Sequence, residues 1–316
     1  MTNKIDRYNG ILLIDKEIGM TSHDVVAKLR RIVNQKKIGH TGTLDKAASG
    51  LLVVCLGRST KTAQFITDSD KKYQTEITFG RTSKTYDAEG VDSSQEEKDT
   101  SFITTNLLVE TLNCFTGEIE QKVPAYSAVH QDGERLYKKA NKGLEIDLPS
   151  RNITIYENEF VSLKDNKLSI NVSCSKGTYI RSLAHDIGEK LNCGGYVSKL
   201  RRTAVGSLVI ENAFRLNEIE DKVTNGTLDD TLLQFTDVTE FASCSVNDSY
   251  VDSIYNGKDI FRDYIQTVSD SFNTGDKVAI RDLQGKVLAV CRAEVPSNLI
   301  DNTIDQKLFS YIRVLN

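Results

Sequence analysis

Proline is scarce in this 316-residue chain, with three in all, and 39% of the residues are hydrophobic and 27% charged. That is the composition of a folded globular protein and excludes a disordered one. Paired cysteines are missing as well. The six stand at Cys55, Cys114, Cys174, Cys193, Cys244 and Cys291, with no CxxC among them. Cys55 in LLVVCLG and Cys174 in SINVSCSKG lie in apolar or alternating runs, where a thiol packs as a small hydrophobe. Reduced, structural cysteines are expected, as in a reducing compartment. The four histidines, His23, His40, His130 and His185, show no HExxH or other close ligand spacing, so no metal site is expected. No stretch approaches the roughly 18 apolar residues of a membrane span, and MTNKIDRYNG lacks the basic start and apolar run of a signal peptide. A cytoplasmic protein is expected.

A basic total is also absent. The net charge is −4, which by itself argues against a nucleic-acid partner. The distribution alters that reading. Residues 1–210 hold 30 Lys+Arg against 26 Asp+Glu (+4), and residues 211–316 hold 10 against 18 (−8), which together make −4. Two basic runs lie in the first part, Lys28, Arg30, Arg31, Lys36 and Lys37, then Lys199, Arg201 and Arg202. On charge alone such runs are most simply solvated faces.

The length fits two domains, because single cores rarely grow beyond about 250 residues. GILLIDK reads as a strand, Gly19 as a turn, and Thr21 or Ser22 as the cap of a helix whose apolar side is Val25, Val26, Leu29, Ile32 and Val33. LLVVCLG reads as a buried strand, and Tyr73, Thr75, Ile77 and Phe79 alternate as in a strand with one covered face. Leu107 to Phe115 predicts a helix closed by a glycine cap near Gly117. A long loop at 121–150 follows, punctuated by Pro124, Gly133, Gly143 and Pro149 around one helical piece, ERLYKKANKG. Loops of that length are commonly functional. A hairpin turning at Asp165-Asn166 and a helix over 178–191 complete the first part. Beyond about 240 come the strands KVAIRD, KVLAVCRAEV and KLFSYIRVL, with a tight turn at Gln284-Gly285. The expected architecture is an α+β domain on a mainly antiparallel mixed sheet over residues 1–240, and a small β-rich module over 245–316.

The richest stretch chemically is GHTGTLDKAASGLLVVCLG, residues 39–57. One carboxylate, Asp45, stands there among Gly, Ala, Ser and Thr just before a buried strand. Small residues let a ligand approach the backbone closely. An aspartate between Thr and Lys is otherwise most often a turn or cap residue.

GHTGTLDKAASGLL resembles the catalytic motif of the TruB family of pseudouridine synthases. NGILLIDKEIGMTSHDVV is similar to that family's N-terminal motif, KKYQTEITFGRTSKTYDAEG to its tyrosine motif, and VPAYSAVHQDGERLYKKANKG to its RNA-binding insertion, about 121–150. CSKGTYIRSLAHDIG and YVSKLRRTAVG follow in the family's order, so the likeness covers most of residues 9–206. After residue 240 a weaker likeness is to a PUA-like RNA-binding domain. Three positions depart from the family pattern. Glu17 stands for a proline after Asp15-Lys16, Ala125 for a second proline after Pro124, and His130 for a lysine after YSAV.

The resemblance implies an enzyme that flips a uridine out of the T-loop of tRNA and isomerises it to pseudouridine at position 55, with no metal or redox cofactor. Asp45 would be the nucleophile, with attack at C1′, elimination to a glycal and addition at C6 all open to it. An aspartate is ionised at neutral pH unless buried alone, and Arg181 is the implied counter-charge. Tyr73 would stack on the base and serve in proton transfer, Leu200 would pack near the base, and His40 would hold the flipped RNA. Arg135, Lys138, Lys139 and Lys142, on the insertion's helical piece, would grip RNA. The implied partner is tRNA, through its T-loop and acceptor arm, and the expected state is a monomer of the stand-alone bacterial type rather than the relative that works in a guide-RNA particle. A non-catalytic tRNA-binding or RNA-chaperone role is the alternative. Intact Asp45, Tyr73 and Arg181 argue against it as the sole role.

Overall fold

Residues 6–315 are described by a computed structural model; residues 1–5, part of the N-terminal stretch read for a leader, and residue 316 lie outside the described residues. Strand β1 (Gly10–Lys16) leads through a turn to helix α1 (Ser22–Ile32). Thr21 is the cap: its hydroxyl accepts from the Asp24 amide, and the Asp24 carboxylate accepts from the Thr21 amide. Next come β2 (Ile38–His40), β3 (Ser49–Leu56), α2 (Ala63–Thr67), β4 (Lys71–Phe79), α3 (Thr105–Asn113) and β5 (Gly117–Lys122). A small hairpin, β6 (His130–Gln131) and β7 (Glu134–Arg135), then precedes α4 (Leu136–Asn141). The long β8 (Ser150–Lys164) turns at Asp165-Asn166 into β9 (Lys167–Cys174), followed by α5 (Ile180–Lys190), β10 (Gly195–Val205), β11 (Leu208–Val209) and α6 (Leu216–Thr224).

These strands form a nine-stranded sheet in the order β1-β3-β10-β4-β9-β8-β5, with β2 on β3 and β11 on β10. Every pairing in it is antiparallel except β3 with β10. At that parallel seam Gly50 has φ 104, and a Cβ there would sit 2.2 Å from the Arg202 carbonyl oxygen. Only glycine allows the two strands to meet at this point.

The apolar runs of β1 and β3 are continuous because both sheet faces are covered there. Leu12, Ile14, Leu52 and Val54 face α1 and α6, while Ile11, Leu13, Leu51 and Val53 face Phe65 and Phe235. Farther along the sheet, Ile77, Phe79, Ile170 and Val172 carry the packing of α3 and α5.

The second sheet contains β12 (Ala242–Val246), β13 (Ile265–Val268), β14 (Lys277–Arg281), β15 (Val287–Ala293) and β16 (Phe309–Val314), with helix α7 (Val251–Tyr255) against it. It has its own core, yet its Val290 and Leu315 join the cluster under β1 and β3. Lys277 lies over the rings of Phe65 and Phe241 and 4.0 Å from Asp68, which ties the second sheet to the first.

All six cysteines are free, and only Cys114 is exposed. Burial raises Cys55, Cys244 and Cys291 to about 12 and Cys174 to about 11, which keeps them as thiols. Two local expectations need correction. Gly117 does not cap α3; the helix closes at Cys114, and Gly117, at φ 96, opens β5. The 121–150 segment is also less irregular than its glycines and prolines imply, because β5 extends to Lys122 and the β6–β7 hairpin precedes α4.

Candidate active site

Asp45 lies in the loop between β2 and β3, and three buried side chains from elsewhere pin that loop. The Ser22 hydroxyl donates to the Leu44 carbonyl at 3.1 Å and accepts from the Leu44 amide at 2.8 Å. The Lys16 ammonium donates to the carbonyls of Ala48, Met20 (2.7 Å) and Glu17 (3.0 Å). Arg202 donates to the carbonyls of Leu51 (2.8 Å), Gly42 (3.2 Å) and Thr43 (3.4 Å). Burial lowers the Lys16 pKa from the usual lysine value; Asp45 opposes that pull, and Arg202 adds to it. The same ammonium holds the turn where the family usually places a proline, so Glu17 leaves that turn tied down.

Arg181 enters from the first turn of α5. Its Nε lies 2.9 Å from Asp45 Oδ2. Nη1 donates to the Thr85 carbonyl at 2.9 Å and lies 3.6 Å from the Asp87 carboxylate, while Nη2 donates to the Tyr126 carbonyl at 3.0 Å. The guanidinium is thus held from four sides, with its fork of donors largely used. Burial is divided unequally between the partners: the Arg181 side chain is 8% exposed and the Asp45 side chain 44%. A carboxylate buried beside its counter-charge is therefore not what the fold builds. The arginine is buried, and Asp45 stands half open because its loop forms the wall of a cleft. No motif reading singles out Asp87, although it lies within the tyrosine motif as the first of the two acids in KTYDAEG.

The cleft has a volume of about 760 Å³, and Asp45, Tyr73, Arg181, Leu200 and Arg202 all line it. Tyr73 on β4 is in register with Arg202 on β10. Burial raises the Tyr73 pKa above the usual phenol value, with the Arg202 guanidinium pulling the other way, so the hydroxyl is protonated at neutral pH. His40 on β2 stands just outside the wall, which begins at Thr41. Burial first, then Arg202 and His23, lowers its imidazole pKa.

The insertion reaches the cleft through Tyr126, Ser127, Ala128 and Tyr137. Its cations do not line it. Arg135 belongs to β7 and Lys142 follows α4, so only Lys138 and Lys139 lie on the helix itself. Lys139 pairs with Asp132 at 3.0 Å and Lys142 with Glu134 at 2.7 Å, while Arg135 and Lys138 are exposed. His130 is exposed on β6.

The second basic run is open only in part, with Lys199 exposed. Lys199 pairs with Glu76 at 2.9 Å, Arg201 makes two bonds to Asp15 at 3.0 and 2.9 Å, and Arg202 is buried. In the first run Arg30 donates to the Ile38 carbonyl, and Arg31, Lys36 and Lys37 are exposed. Among the described residues no group of three or more His, Cys, Asp or Glu is placed to hold a metal ion, and no helix is long and apolar enough to cross a membrane.

Solved structures share this fold along the whole chain. A chain of an H/ACA RNP bound to a substrate RNA containing 2′-deoxyuridine is 23% identical with TM-score 0.76, covering 100% of this chain and 92% of that one. A chain of the archaeal box H/ACA sRNP Nop10-Cbf5 complex is 23% identical with TM-score 0.75, covering 100% and 93%. Residues 243–314 match the PUA domain family model. The fold class is thus that of these RNP chains, closed by a C-terminal PUA domain. Residues 30–180 match the N-terminal domain of TruB family pseudouridylate synthase, and residues 181–237 match the tRNA pseudouridylate synthase B C-terminal domain. A tRNA pseudouridine synthase B of Clostridium perfringens strain 13 is 39% identical over 267 residues, 84% of this chain and 89% of that protein. One of Bacillus cereus strain ZK is 42% identical over 257 residues, 78% and 83%. The chain belongs to the TruB family of pseudouridylate synthases.

Proposed function

We propose that this enzyme isomerises uridine 55 in the T-loop of tRNA, with Asp45 as nucleophile, Arg181 as its orienting cation and Tyr73 as the platform for the flipped base. The observation that carries the reading is the 2.9 Å contact between a half-open Asp45 and a buried Arg181, most of whose donors are engaged, at the wall of the cleft. In the reaction the C1′–N1 bond breaks, the base turns, and C5 bonds to C1′. The proton released from C5 is balanced by one gained at N1, so nothing is oxidised. Asp45 is open enough to meet the sugar or base, and Arg181 fixes the direction of its oxygens. Extruding the uridine costs a few kcal/mol, and stacking on an aromatic ring returns about 1–3 kcal/mol. Tyr73 supplies that ring, and its protonated hydroxyl hydrogen-bonds the base and relays the proton. Leu200 closes the apolar side, and His40 steadies the RNA from beyond the cleft edge.

The division into a catalytic unit over 1–240, with its insertion at about 121–150, and an RNA-binding unit over 245–316 belongs to the same reading. So do contacts of the second unit with the acceptor arm, action as a monomer and a cytoplasmic location. The test is incubation with an unmodified tRNA transcript followed by mapping of pseudouridine. The expected result is modification at position 55 by the native protein and none by Asp45→Asn, with tRNA affinity kept within a few-fold. Substantial turnover by pure Asp45→Asn would overturn the assignment, and binding without any product in the native protein would favour the chaperone role.

A further inference from the structure

We propose that Tyr86 and His185 are positioning residues for Arg181, acting through the turn at Tyr86; the inference rests on the function given above. The Thr85 carbonyl and the Asp87 carboxylate both face Nη1 of Arg181. Between them Tyr86 has φ 63, a left-handed conformation that non-glycine residues rarely adopt. The turn aims the groups on either side of it at one cation. Such a conformation persists only where its surroundings hold it. The Tyr86 carbonyl accepts from the Val197 amide at 3.0 Å, and its amide donates to the Ser83 carbonyl at 3.2 Å. Its ring lies flat on His185, with centroids 4.0 Å apart and planes 8° from parallel.

His185 is one helical turn beyond Arg181 on α5, so the two share a face of that helix. One rigid element therefore carries both the cation and the platform for the turn that encloses it. Neither Tyr86 nor His185 lines the cleft. The buried Nδ1 of His185 has no hydrogen-bond partner, which leaves the face of the ring, rather than a polar bond, as the reason for an aromatic residue there. Asp87 is held in the same clip, since its carboxylate accepts from the Thr85 hydroxyl and from the Glu89 amide.

Single-turnover pseudouridine formation at saturating enzyme, with tRNA Kd measured separately, tests the proposal on the native protein, His185→Ala, His185→Phe, Tyr86→Gly and the double variant His185→Ala with Tyr86→Gly. His185→Ala should slow the chemical step about tenfold or more while leaving Kd within about twofold, because it disturbs the aim of Arg181 and removes nothing that touches RNA. His185→Phe keeps the stack and should restore the rate. Tyr86→Gly keeps the left-handed backbone but loses the ring, so it should match His185→Ala, and the double variant should be no slower than either. In parallel, hydrogen exchange at Nε of Arg181 should quicken in His185→Ala and return to the native rate in His185→Phe. This second readout needs no turnover. If the native protein makes no pseudouridine, the functional reading fails and the exchange rates still decide the positioning claim. A native rate in His185→Ala, a His185→Phe as slow as His185→Ala, a loss confined to Kd, or unchanged Arg181 exchange would each overturn it.

Discussion

Arg181 and Lys139 each place a cation about 3 Å from a carboxylate, at 2.9 Å from Asp45 and 3.0 Å from Asp132. Their surroundings differ in kind. Arg181 is buried, and its carbonyl partners come from residues 96 and 55 positions away in the chain. Lys139 reaches back only seven positions to Asp132, whose side chain is 82% exposed. The Lys139 side chain is itself 17% exposed, but its carboxylate partner faces water; pairs open to solvent are worth about 0–1 kcal/mol, so phosphates can replace Asp132 or Glu134 at little cost. No such exchange is open to Arg181. Chemistry on one bond needs a fixed direction, whereas a grip on RNA needs charges that can change partners.

The largest effect that would sharpen this contrast is expected from Arg181→Met. It strips a cation from Asp45 and leaves Asp87, only 12% exposed, without it. Asp45 is open to water in the free protein, so the loss should appear in the transition state more than in stability. A loss of about 3 kcal/mol there is more than a hundredfold in rate. A single-turnover rate near that of the native protein would break the contrast. Asp87→Asn should cost less, about tenfold in rate with tRNA affinity unchanged, because the Arg181–Asp45 pair survives. Tyr73→Phe keeps the stacking ring and removes the hydroxyl, and a further fall of about tenfold is expected if that hydroxyl relays the proton. Native turnover would reduce Tyr73 to a platform.

On the other side of the comparison, Arg135→Ala combined with Lys138→Ala should weaken tRNA binding and leave the single-turnover rate at saturation unchanged. The slope of log affinity against log salt should fall by about 0.7–0.9 for each phosphate that is no longer neutralised. An unchanged slope would mean that the exposed cations of the insertion do not meet RNA. Lys139→Ala should do less than either, since Asp132 already competes for that charge.

The smallest effect concerns Asp186, which α5 places near Arg181 but without a comparable partner. Burial pushes its carboxyl up to about 6, with Lys122 opposing and Glu189 adding. The folded state therefore binds this proton more tightly than the unfolded chain, in which an aspartate titrates near about 3.9. Its contribution to stability is fully present below about pH 4 and is lost as pH rises through about 6. Asp186→Asn should flatten that part of the Tm profile and raise Tm slightly at pH 7. A profile of native shape in the variant would assign the titration elsewhere.

Local patterns carried much of the fold. The capping box at Thr21 and Asp24, the apolar runs of β1 and β3, and the Asp165-Asn166 turn are each written within a few residues, where backbone and side-chain preferences act directly. Strands β12 and β13 were missed. Their sequences, ASCSV and IQTV, are short and partly polar, and they become strands because β12 pairs with β14 and β13 with β12. Among the residues named from motifs, Asp45, Tyr73, Arg181 and Leu200 meet in one cleft, while His40 and the insertion's cations stand outside it.

What the sequence by itself determined is which residue types stand at which motif positions, and with them the family. Only the tertiary structure decided that Lys16, Ser22 and Arg202 hold the Asp45 loop and that Asp87 and Tyr126 complete the setting of Arg181. It also withdrew Arg202 from any simple basic surface and gave Arg201 and Lys199 carboxylate partners. The reason is geometric. A charge run in a strand points alternately to opposite faces, and whether a cation meets a carbonyl, a carboxylate or water depends on what the sheet brings beside it. Leu51 lies 151 residues from Arg202 in the chain, and no local pattern spans that separation.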